Sequence, residues 1–163
     1  MRLLLLLALA ACGYTPVYGA STEHLGVVVV GSKVPDAAAS DEVAAGVRDE
    51  LARAGALSAG SGYPRCEIEI LRADEASEGI AAGASDPESR ATRVGIVARA
   101  WVVRAKDGPR ERDTGDVRAM EVVAVAPDAK TATFRHADAL RAAGRRAGRR
   151  IGTRLLGLPS AED

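Results

Sequence analysis

Apolar and polar positions change their period several times along the chain, and each change marks an element. Residues Leu25 to Val30 form a short β-branched run. It is followed from Gly31 to Ala39 by a segment containing Pro35-Asp36, so the run reads as a buried strand and the segment as its loop. Val43, Val47, Leu51 and Ala54 then recur at helical spacing. Ser40 stands ahead of them as a cap, Asp41 and Glu42 put negative charge at the positive end of the helix dipole, and Gly55 supplies a stop. Beyond a Ser/Gly-rich segment from Ser58 to Pro64, Cys66, Ile68 and Ile70 alternate with Glu67 and Glu69, the period of a half-buried strand.

The next stretch, Arg72 to Arg90, is polar and rich in Gly and Ala, with Asp86-Pro87 as a turn signal. It predicts a long irregular connection in which Asp74, Glu75 and Glu78 are solvated. Alternation returns from Thr92 to Lys106, with Val94, Ile96, Ala98, Ala100 and Val102 on one side and Arg93, Val97, Arg99 and Trp101 on the other. Asp107-Gly108-Pro109 ends that strand in a turn, and Val117 to Val125 is its return strand. From Thr131 the period becomes helical again, and Leu140, Ala143, Ala147, Ile151 and Leu155 form one stripe. Gly144, Gly148 and Gly152 weaken this helix by up to about 1 kcal/mol each, so it depends on packing against the sheet.

These elements predict an α/β (α+β) two-layer sandwich over residues 25–158, in the order β-α-β-β-β-α. Two helices cover one face of a four-stranded sheet and the other face is charged. Period-two geometry places Arg93, Arg99 and Trp101 on that charged face. A tryptophan there, beside two arginines, suggests a contact patch for a partner or for phosphate groups.

The first residues have a different character. Met1-Arg2 is a short positive segment, Leu3 to Leu9 is apolar, and Leu9-Ala10-Ala11-Cys12 looks like a lipobox. The apolar run is far shorter than the roughly 20 residues needed to span a bilayer, so it reads as a secretory signal cut between Ala11 and Cys12. Lipid attached to Cys12 then anchors the chain to a membrane, residues 12–24 form an extended tether, and residues 159–163 form a tail. With Cys12 acylated, Cys66 has no intramolecular partner and is expected as a small buried core residue.

Composition and motifs narrow the function classes. The 22 basic and 22 acidic side chains give a formal net charge of zero, which offers no footprint for nucleic acid. The arginines of the last helix, Arg141, Arg145, Arg146, Arg149 and Arg150, therefore read as a solvated face. His24 and His136 have no carboxylate or cysteine at ligand spacing, and Asp138 reads as a helix-start residue, so no metal site can be drawn. No nucleophile elbow, phosphate loop or calcium loop is present in the sequence. The expectation is a binding or assembly protein without cofactor, not an enzyme.

The stretch Cys12-Gly13-Tyr14-Thr15-Pro16-Val17-Tyr18-Gly19 resembles the opening of LPS-assembly outer-membrane lipoproteins of the LptE family. Val47-Arg48-Asp49-Glu50-Leu51 is similar to the Leu-Arg-Asn-x-Leu that many members carry, with Asp49 in place of Asn. The resemblance implies an outer-membrane location, a role as plug and assembly partner of an LptD-like β-barrel, and binding of LPS. An accessory lipoprotein of a lipid-trafficking ABC transporter, or a penicillin-binding-protein activator, has the same anchor and size.

Overall fold

The computed structural model describes residues 23–82 and 87–159. The proposed signal peptide, Cys12 and nearly all of the tether therefore lie outside the described residues, as do residues 160–163. The elements are β1 (Gly26–Ser32), α1 (Ala37–Arg53), β2 (Arg65–Ala82), β3 (Pro87–Val103), β4 (Val117–Ala124) and α2 (Ala129–Leu155). The sheet order is β1-β2-β3-β4. β1 runs parallel to β2, as the crossover through α1 requires, and the remaining pairs are antiparallel.

Both helices pack on the sheet face that carries Cys66, Ile68, Ile70, Ile96, Ala98, Ala100 and Val102, all 0% exposed. Val43, Val47 and Leu51 enter this core from α1, and Leu140, Ala143, Ala147, Ile151 and Leu155 enter it from α2. The two apolar stripes and the strand alternation thus meet as the sequence pattern requires. Burial pushes the Cys66 thiol up to about 12, and the charge of Glu67 adds to the shift, so this cysteine is an inert core residue.

Four expectations are corrected. Residues 72–82 and 87–90 are not an irregular connection, because β2 and β3 remain paired from Arg65↔Val103 to Ala82↔Pro87. The pairing supplies the hydrogen bonds that the weak local propensity does not, and β1, which ends at Ser32 opposite Ile70, is left far behind. Asp74 accordingly sits in a strand and binds Arg72 and Arg118, each at 3.0 Å. The first helix starts earlier than Ser40, since the Asp36 carboxylate accepts from the backbone N–H of Ala39 at 3.0 Å. Ser40 instead meets the Ser32 hydroxyl at 2.9 Å and ties α1 to the end of β1.

The third correction concerns the glycines of α2, which are contact surface and not mere weakness. A Cβ on Gly148 would stand 2.1 Å from the carbonyl oxygen of Val43, and one on Gly46 would stand 2.3 Å from that of Arg145. A Cβ on Gly144 would stand 2.6 Å from the carbonyl oxygen of Ala39, and one on Gly152 would stand 2.5 Å from the Cβ of Glu50. The helices approach closely along the three glycines of α2 and Gly46 of α1, and the propensity lost in α2 is returned as close packing. Gly148→Ala is therefore expected to lower stability by about 2 kcal/mol, because overpacking outweighs the gain in helix propensity. Thermal unfolding of the variant checks this, and a raised Tm would contradict the seam.

The fourth correction is the end of the tether. Glu23, placed in it by the sequence reading, is bound by both Arg104 and Arg112 and belongs to the body.

Candidate functional site

The face opposite the helices is built by the alternate positions of β2 and β3, and it is less open than expected. Trp101 lies on it, across from Glu67 in the β2–β3 register, but is only 2% exposed. Residues 111–114 continue the line of β4 alongside β3 through bonds to Val102 and Ala100, and this brings the preceding Arg110 over the indole. The guanidinium carbon stands 3.8 Å from the ring centroid. The indole Nε1–H donates to Glu67 Oε2 at 3.0 Å, and Arg65 holds the other oxygen of Glu67 at 2.6 Å while stacking on Tyr63 at 4.3 Å.

This arrangement corrects the expectation of an exposed indole. Residue Trp101 is on the predicted face, yet the β3–β4 loop covers it, and its hydrogen bond and ring faces are used within the chain. Arg99 is also engaged, with Nη2 donating to Asp116 at 2.7 Å and Nε 3.9 Å from Asp113. Arg93 is exposed near the other end of β3, opposite Val122 of β4. The structure therefore does not gather Arg93, Arg99 and Trp101 into one surface. No period-based argument could foresee the cover, because it comes from a loop outside the strands.

The arginines of α2 are likewise more than a solvated face. Arg146, Arg150 and Arg154, one helical turn apart, donate to the carbonyls of Met120, Arg118 and Thr114 at 3.3, 2.6 and 3.1 Å. Arg135 donates to Val125 at 3.3 Å. The outer edge of β4 is thereby occupied by side chains, which keeps it from pairing with a further strand. Arg145 pairs with Asp49 at 2.6 Å and with Glu42 at 2.9 Å, and its hydrogen bonds, first to Glu42 and then to Asp49, raise its pKa further. This pair gives Asp49 a role in joining α1 to α2.

At the far end of the sheet an open cavity of about 480 Å³ lies between the start of α2 and strands β3 and β4. Val123, Val125, Ala132 and His136 are among its lining residues, and exposed Val122 and Phe134 belong to the same end. Among the described residues no group of three His, Cys, Asp or Glu side chains could hold a metal ion, and no helix is long and apolar enough to cross a membrane.

Comparison with known proteins bears on the fold. No protein-family model matches the sequence, and no curated protein is significantly similar to it. Solved structures do superpose on it. A candidate lipoprotein from Caulobacter crescentus does so with a TM-score of 0.54 at 14% identity, over 80% of this chain and 88% of its own. A minor lipoprotein from Acinetobacter baumannii reaches 0.50 at 10% identity, over 82% of this chain and 94% of its own. Likeness at such identities establishes a shared fold, and that fold occurs among bacterial lipoproteins.

Proposed function

We propose that this chain is a lipid-anchored outer-membrane protein of LptE type, a plug and assembly partner of an LptD-like β-barrel that binds LPS and carries out no catalysis. The observation that carries the reading is the opening Cys12 to Gly19, directly after a lipobox and directly before a β-α-β-β-β-α body. The acylated cysteine supplies the membrane affinity, which a single hydrophobic stretch cut at Ala11 would not. The body suits a wide polar barrel lumen, since ion pairs and arginines cover both the second sheet face and the edge of β4.

The test is purification of the tagged full chain from outer membranes in mild detergent, with the bound proteins identified by mass spectrometry. The expected result is an LptD-like barrel in equal amount. A permease complex in its place would establish the ABC-transporter accessory role.

A further inference from the structure

We propose that the arginine row along the outer edge of β4 is the surface by which the body docks on its partner, and that it docks on a β-strand wall presenting carboxylates at alternate positions. The inference rests on the barrel-partner reading and adds to it the face that meets the barrel. It starts from a surplus of charge on one element. α2 carries eight basic side chains and one acidic one, Asp138, in a chain whose total charge is zero. Part of that surplus is cancelled nearby: Asp49 takes Arg145 and Arg149, Asp138 takes Arg141, and Glu121 takes Arg146. Arg135 and Arg154 have no ion pair among the described residues, and each is hydrogen-bonded to a backbone carbonyl. Asp128 feels the charge of Arg135, but its carboxylate caps α2 and is taken by Thr131. A carbonyl oxygen fixes a guanidinium in place without neutralising it, and the guanidinium keeps further N–H groups to offer.

The spacing of the row favours a strand as its counterpart. Arg146 and Arg150 sit on the carbonyls of Met120 and Arg118, two residues apart on one side of β4, which sets the two guanidinium groups about 7 Å apart along the strand. Side chains on one face of any β-strand repeat at that same interval, and a barrel wall turns every second side chain to its lumen. Aspartate or glutamate at alternate positions of one such strand would therefore meet successive arginines, a repeat that a lone phosphate group does not have. Side chains must make the contact, because the arginines already occupy β4 carbonyls that a further strand would bond. Several guanidinium–carboxylate pairs in a row fix the register of an interface and speed its formation.

The experiment uses the tagged full chain purified from outer membranes in mild detergent, with the co-purified barrel quantified by mass spectrometry. One variant combines Arg150→Gln with Arg154→Gln, and a second combines Arg150→Lys with Arg154→Lys. Glutamine removes the charge and lysine keeps it, while both lose the guanidinium's fit to the β4 carbonyls. The glutamine pair is expected to retain several-fold less barrel than the wild type, and the lysine pair close to the wild-type amount. Rising salt should lower the wild-type yield towards that of the glutamine pair. A photocrosslinking residue at Thr153, beside the row, should attach to a barrel strand with acidic residues two apart. Equal loss in both pairs, a wild-type yield indifferent to salt, or a crosslinked strand without acidic residues would overturn the inference. So would loss of binding to purified LPS with barrel recovery intact, which would give the row to phosphate groups. Wild-type chain that brings down no barrel overturns the barrel-partner reading and the inference together, whereas barrel recovered equally with wild type and both variants overturns the inference alone.

Discussion

Trp101→Ala is expected to destabilise the body by about 3–5 kcal/mol, the cost of emptying a buried aromatic site. At a few degrees per kcal/mol in a chain of this size, that is a fall in Tm of roughly 10 °C or more. The indole is 2% exposed, its Nε1–H is bound to Glu67, and Arg110 lies on its ring. Alanine would leave the Glu67 carboxylate with Arg65 alone and remove the surface on which Arg110 rests. Trp101→Phe keeps most of the ring but not the donor, and should cost about 1 kcal/mol beyond any loss of packing. Thermal or urea unfolding measures both. A Trp101→Ala protein that melts like the wild type would contradict the cover and return the indole to the role of an exposed contact.

Trp101 also shows which features the sequence could disclose and which it could not. Alternation placed it on the correct face of β3, because period two follows from the strand backbone alone. What shields it is Arg110, whose position depends on how residues 111–114 line up beside β3, a tertiary event with no local signature. The core was readable for the same reason that the faces were: Cys66, Ile68 and Ile70, the α1 stripe and the α2 stripe each follow a single period, and all are buried. The extension of β2 and β3 was not, since residues 72–90 have the composition of a loop, and residues 72–82 and 87–90 are held as strands by the pairing of β2 with β3. The three glycines of α2 did carry a signal. Their four-residue spacing puts them on one side of the helix, where a second backbone can approach, and Gly46 of α1 meets Gly148 there. Ion pairs between distant residues, such as Arg145 with Asp49, left no trace in the sequence beyond the abundance of charge.

The second large effect concerns the anchor. On the proposed reading, Cys12→Ser removes the sulfur that would carry the diacylglycerol, and a lipoprotein peptidase would act only after that step. The expected product is an uncleaved, unacylated precursor that does not reach the outer membrane. The body should still fold, because the described core begins at Leu25 and is closed by the sheet and the two helices. Each buried methylene of an acyl chain contributes about 0.8 kcal/mol of membrane affinity, so loss of the acyl chains leaves no comparable attachment. Near-wild-type thermal unfolding of the purified body together with loss from the membrane fraction is the predicted pair of results.

The claim on which the functional reading stands is the acylated cysteine, and the most direct measurement of it is the mass of the amino-terminal peptide from wild-type protein taken from the membrane fraction. The expected peptide begins at Cys12 and carries the added mass of acyl chains. A peptide with a free Cys12 thiol, or one in which Cys12 is joined to Cys66, would contradict it.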